Sequence, residues 1–311
     1  MKEESLDTPV LFLVFNRPDV TKRVFERIRV VKPKQLFVAA DGPRLTHPDD
    51  EQKCEEVRKI ASSVDWDCEL KTLFREENMG CGKAVSSAID WFFEHVDMGI
   101  ILEDDIVPDH SFFPFCQHLL QKYKDDSRVM MISGLNICEQ WKEDVQDYHF
   151  SYFGGIWGWA SWKRAWAHYD FHLTAWAVPH IRQLILHFFP TEIRGYREGM
   201  YDKLAAGKID TWDLQWTFAK ILNSGLTIIP AHNLIKNIGC IGQSGTHVTN
   251  GHPWSNLKVN PVNSLIRNNP IVMSDVEYDL CHLGWEKHDP ILDKAVRMLK
   301  KKAEKIFTKV L

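Results

Sequence analysis

The feature that most limits how this chain can fold is a set of short, unbroken apolar runs, each ending abruptly in polar residues. Val10-Leu11-Phe12-Leu13-Val14-Phe15 stops at Asn16-Arg17-Pro18, Leu36-Phe37-Val38-Ala39-Ala40 at Asp41-Gly42-Pro43, and Gly99-Ile100-Ile101-Leu102 at Glu103-Asp104-Asp105. A run without polar alternation suits a strand buried on both faces, as in a parallel sheet. Between the runs, Val20, Val24, Phe25 and Ile28 share one helical face, and the charged segment Asp49 to Lys59 reads as a second helix. Glu69 to Phe74 reads as a third strand, and Val85, Ala88, Ile89, Phe92 and Val96 stand at helical spacing within Lys83 to Val96. This β-α-β-α-β alternation predicts an α/β fold with a mostly parallel, doubly wound sheet flanked by helices and joined by right-handed crossovers. Such sheets bind ligands at the carboxyl ends of their strands. All three polar clusters fall there.

The second half changes character. Tyr148 to Trp176 is rich in Trp and Gly, and Asp210 to Gly225 reads as one helix stopped by Asn223-Ser224-Gly225. Thr227-Ile228-Ile229 suits a further strand, and a polar run follows from Asn237 to Asn250. We place a catalytic domain over residues 1–250 and a C-terminal extension over 251–311. The last stretch, 291–311, is loosely amphipathic and carries seven Lys/Arg against two acids.

Charge narrows the partners. Lys and Arg number 38 against 42 acids, a net charge of -4, which leaves no basic excess for a nucleic acid backbone. The seven cysteines are scattered, form no CxxC pair and are odd in number, so reduced thiols are the simplest expectation. The N-terminus runs directly into strand-like sequence, and no apolar stretch approaches the roughly 18 residues that spanning needs. The expectation is a cytoplasmic protein, at most peripheral to the inner membrane face through its basic C-terminal helix.

Several residues offer chemistry. Three acids after a buried strand present hard oxygen donors for magnesium or manganese, which would neutralise a departing diphosphate, although an acidic turn is the bland alternative. Asp41 suits a hydrogen bond to a ribose or base edge, or simply starts a turn. Arg17 suits a pyrophosphate or a base, or solvent. Asn78-Met79-Gly80-Cys81-Gly82-Lys83 lacks the Walker spacing, so Asn78 or Lys83 touching a donor is the stronger reading. In FSYFGGIWGWASWKRAW most tryptophans fit a core layer, while Trp157 and Trp159, flanked by glycine, are placed near a sugar. Asp213 suits a general base, and otherwise favours the positive end of a helix capped by Asp210. His247 lies in a polar loop that could close on a metal or diphosphate.

In this order the clusters resemble GT-A glycosyltransferases, most of all the inverting N-acetylglucosaminyltransferase I type, over about Pro9 to Val248. The strongest block is ILEDDIVPDHSFFPF, with Glu103-Asp104-Asp105, Pro108-Asp109 and Phe112-Phe113. FNRP is similar to the family's first-strand Asp-Arg turn, with Asn16 in place of the acid, and Asp41-Gly42 to its second-strand carboxylate. Ser133-Gly134-Leu135-Asn136, FGGIWGWASWKRAW, TWDLQW and GTHV supply further matches. The resemblance implies a GT-A fold and metal-dependent, inverting transfer from a UDP-sugar donor to a glycan or lipid-linked acceptor, in polysaccharide or glycoconjugate synthesis. It implies Asp105 as direct ligand of Mn2+ or Mg2+, with Glu103 and Asp104 orienting donor and metal shell. Asp213 would be the base, and Arg17 and Asp41 nucleotide contacts. Because Asp213-Leu214-Gln215-Trp216 lacks the family's adjacent acids, Asp210 remains an alternative base. A sugar-nucleotidyltransferase and a non-catalytic glycan-binding relative are the rival readings. The first would show a Gly-rich loop ending in Arg or Lys after the first strand, which FNRP lacks.

Overall fold

A computed structural model describes residues 5–239, 253–262 and 265–286. The first apolar run forms β1 (Val10–Val14), buried at every position, and Pro18 opens α1 (Pro18–Val31). Then follow β2 (Gln35–Ala40), α2 (Asp50–Ala61), β3 (Glu69–Phe74), α3 (Cys81–His95) and β4 (Met98–Glu103), each close to its expected span. After the acidic turn come β5 (Ile106–Pro108), α4 (Phe112–Lys122), β6 (Val129–Ser133), β7 (Tyr148–Ser151), β8 (Trp159–Trp162) and α5 (Lys163–Trp166). The chain continues through α6 (Pro179–Phe188), α7 (Thr191–Ala205), α8 (Asp213–Leu222), β9 (Leu226–Pro230), β10 (Ile235–Asn237) and α9 (Val276–Glu286).

Eight strands form one sheet in the order β3-β2-β1-β4-β8-β6-β9-β7, and β10 pairs with β5 in a second, two-stranded sheet. β3, β2, β1 and β4 are mutually parallel, as are β6 and β9, while β8 and β7 run against their neighbours. The sheet is therefore mostly parallel, as the apolar runs imply. Alternate residues of one strand enter different cores: Val10, Phe12 and Val14 join one, Leu11 and Leu13 the other. The first core holds Val24, Phe25 and Ile28 of α1 with Phe112, Phe115 and Leu119 of α4. The second holds Ala88, Ile89 and Phe92 of α3 with Trp216 of α8 and Trp212 just before that helix. At the edge, β3 is only half covered and carries Glu69 and Lys71, charges that discourage pairing with another chain.

Part of the Trp-rich region is strand. β8 inserts between β4 and β6, and its Trp159 stacks on Trp212 at 5.6 Å between ring centroids, close to Trp166 and Trp216. A third apolar cluster joins Trp176, Ile185, Ile193 and Tyr201 to Phe218 and Ile221, so α6 and α7 pack on the outer side of α8. The segments beyond residue 250 also lie on this framework. Tyr278 of α9 is fully buried in the first core, and Arg267 ion-pairs with Asp147.

Lys220 on α8 is buried, with its ammonium 2.7 Å from Thr227 Oγ1. Burial pushes its pKa down from 10.5 to about 7, with Asp279 opposing. Between those values the unfolded chain binds the extra proton, so this group makes stability rise with pH across that window, and its penalty is complete below about pH 7. Lys220→Met should therefore stabilise the protein more at about pH 6 than at about pH 9. The two gains should differ by about 2–3 kcal/mol in urea unfolding.

Candidate active site

The parallel strands β1, β2 and β4 all end on one edge of the sheet. β1 pairs with β2 on one side and β4 on the other, so the strand order reverses there and a crevice opens at the switch point. A cavity of about 930 Å³ fills it. Of the residues singled out in the sequence, Arg17, Asp41, Asn78, Glu103, Asp104, Asp105, Trp157 and Asp213 line this one space.

At its centre Arg17 lies between two acids. Its guanidinium grips Asp104 through Nε (3.3 Å) and a second, shorter contact, while Nη2 also lies 3.0 Å from Asp105 Oδ2. Burial works against its charge, yet Asp104 and Asp105 together hold it firmly protonated. Burial also raises the pKa of Asp104, against the pull of Arg17. Glu103 is raised well above its ordinary value, first by burial and then by Asp105 and Asp104, with Asp213 adding to the effect. One oxygen, Glu103 Oε1, is buried without a hydrogen-bond partner. Among the described residues the three acids share one cation, Arg17, so the turn is short of positive charge. β10 brings the chain back over it: Ile238 N–H donates to the Asp105 carbonyl at 2.9 Å, and a Cβ at Gly239 would stand 2.0 Å from Asp105 Oδ2.

The end of the crevice beside β2 and β3 is built by loops. The Asp41 carboxylate accepts from the backbone N–H of Gly42 (2.9 Å) and Met79 (3.0 Å) and from Asn78 Nδ2 (2.9 Å). Its pKa is nonetheless raised, mainly by burial. Asn16 donates to Asp50, whose carboxyl is pulled down to about 2 by Arg44 above all. Arg44, Lys53 and Arg75 also line this end. The sequence reading missed them, although Arg75 follows β3 directly, as Asp41 follows β2.

Asp213 opens α8 in the wall of the crevice and accepts a hydrogen bond from Thr211 Oγ1. Asp210 does not cap that helix. Its two oxygens accept the N–H groups of Cys81 (2.9 Å) and Gly82 (2.8 Å), so it caps α3 from a distant part of the chain. Gly80 suits that junction, because its φ is +79° and a Cβ would stand 2.6 Å from Asp210 Oδ2. Asp210→Ala should lower stability by about 1–2 kcal/mol in urea unfolding, because two helix-terminal donors lose their acceptor.

Other expectations change. Lys83 lies on the exposed face of α3 and is absent from the cavity wall. Trp157 lines the cavity, but Trp159 is fully buried in the second core. Gly158, at φ +59°, turns the chain between them, which sends the two rings to opposite faces of the sheet. Phe153, Arg197, Trp254 and His282 form part of the wall without having been anticipated. Trp254 packs edge-on against Trp157, and His282 stacks on Phe153. His247 and the basic stretch 291–311 lie outside the described residues. Among the described residues no helix is long and apolar enough to cross a membrane.

The acidic turn fits a divalent cation chemically. It has hard oxygen donors, an orphaned buried carboxylate oxygen, and a guanidinium already standing where positive charge is wanted. Among the described residues no three His, Cys, Asp or Glu side chains converge as a metal cage. One or two carboxylates would therefore hold the ion, with phosphate oxygens and water completing its shell.

No known protein family matches the chain, and no curated protein matches it. Among solved structures it is similar to a UDP-glucose pyrophosphorylase complexed with UDP-glucose, at 11% identity, 75% of this chain, 94% of that chain and a TM-score of 0.38. It is also similar to mouse xyloside xylosyltransferase 1, at 11% identity, 69% of this chain, 81% of that chain and a TM-score of 0.34. HddC from Yersinia pseudotuberculosis gives 9% identity, 50% of this chain, 77% of that chain and a TM-score of 0.32. Likenesses this faint leave the functional reading to the geometry of the crevice.

Proposed function

We propose that the chain is a GT-A glycosyltransferase that moves a sugar from a UDP-sugar to a hydroxyl of a glycan or lipid-linked acceptor, with inversion. One observation carries this reading. A charge-deficient acidic turn and the Asp213 carboxylate line one crevice at the switch point of the sheet, and Asp213 lies near enough to add to the rise in the Glu103 pKa. The nucleotide would lie over Asn16, Asp41 and Asn78, with Arg17 turned toward its diphosphate. Asp104 and Asp105 would hold Mn2+ or Mg2+, which when bound offsets the negative charge gathering on the leaving diphosphate. Asp213 would accept the proton of the acceptor hydroxyl, and an attack from its side, opposite the diphosphate, inverts the anomeric centre. Trp157 and Trp254 would flank the sugar.

The test is a panel of UDP-sugars incubated with the protein and manganese, read as UDP released. We expect UDP release from one or a few donors, lost on chelation. Pyrophosphate formation from a sugar phosphate and UTP would instead identify a nucleotidyltransferase. Silence in both assays would point to a non-catalytic glycan binder.

A further inference from the structure

Two thiols 143 residues apart in sequence meet where α9 packs beside the turn after β6: Sγ of Cys138 and Sγ of Cys281 lie 2.8 Å apart. Both residues are half-buried. The backbones that carry them are held by contacts that do not involve sulfur. Tyr278 Oη reaches Asn136 Oδ1 at 3.4 Å, and Asp279 accepts from Ser151 Oγ and the Tyr152 N–H. The sulfurs are thus brought together by the fold and need only a small shift to reach bonding distance, about 2.05 Å.

We propose that Cys138 and Cys281 are a disulfide-forming pair, a covalent modification site that fastens α9 to the rim of β6. The oxidant is a low-molecular-weight disulfide. The Cys281 thiolate attacks one of its sulfurs and expels one small thiolate, leaving a mixed disulfide on Cys281. Cys138, having lost its proton to solvent, then attacks the Cys281 sulfur and expels the second small thiolate. Two protein thiols and one small disulfide become one protein disulfide and two small thiols, with both electrons passing to the oxidant. The bond would bear on the crevice, because His282 follows Cys281 directly and Leu135 lies three residues before Cys138, and both line the cavity.

The test treats the full chain with oxidised glutathione, blocks remaining thiols with an alkylating agent, and maps the cysteines by mass spectrometry. We expect a linked peptide pair containing Cys138 and Cys281, lighter by two hydrogen atoms than the reduced peptides. Closing so long a loop should also raise the thermal midpoint by about 5 °C or more. Cys281→Ser should show neither change. The proposal is overturned if both thiols stay open to alkylation, if they carry glutathione without joining, or if either joins a different cysteine. None of these readouts depends on which substrate the crevice takes.

Discussion

Asp213→Asn should lower the turnover of sugar transfer by about a hundred- to ten-thousand-fold while leaving UDP affinity nearly unchanged. The substitution preserves shape and can keep the hydrogen bond with Thr211, but it removes the negative charge that accepts the proton. The hydrogen bonds of Arg17 and Asp41 do not involve Asp213, so the nucleotide contacts proposed for those two residues should persist. Steady-state transfer assays paired with calorimetric titration of UDP check both halves. If transfer survives, the base lies elsewhere. Asp210 is then a poor substitute, since both its oxygens already accept backbone N–H groups of α3.

The second large effect is expected at Arg17. Replacing it by Met withdraws the guanidinium that pairs with both Asp104 and Asp105 and leaves two poorly solvated carboxylates close together. Loss of one member of such a pair should cost about 2–3 kcal/mol of stability, toward the low end because the Arg17 side chain keeps 23% of its exposure. Manganese alone should then restore more stability to Arg17→Met than it adds to the unaltered chain, since the same oxygens are now vacant. Thermal unfolding of both proteins, with and without manganese, measures this. An equal response to the metal would show that the ion does not use the carboxylates that Arg17 holds.

Much of the architecture was legible because burial on both faces erases polar alternation. β1, β2 and β4 carry that signature, and their ends locate the crevice without reference to any other part of the chain. Features that depend on distant partners left no such mark. Asp210 sits where a cap for its own helix would sit, and its true donors lie about 130 residues earlier, so local spacing pointed to the wrong helix. Trp157 and Trp159 look equivalent in sequence, yet one glycine with positive φ between them sends one ring to the cavity and the other to the core. Lys83 reads as a donor contact, but α3 begins at Cys81 and turns Lys83 outward. Trp254 and His282 belong to the stretch set apart as an extension, and nothing in their neighbours announces that they reach the crevice.

That last placement bears on how the molecule is born. β1 to β4 precede the rest of the sheet and can begin to pair while later residues are still being added. The part of the wall bearing Trp254 and His282 follows every strand in sequence and emerges from the ribosome after them. A nascent chain would thus have the floor of the crevice before it had the whole of its wall. The wall of the crevice would be completed in one later step, when α9 docks.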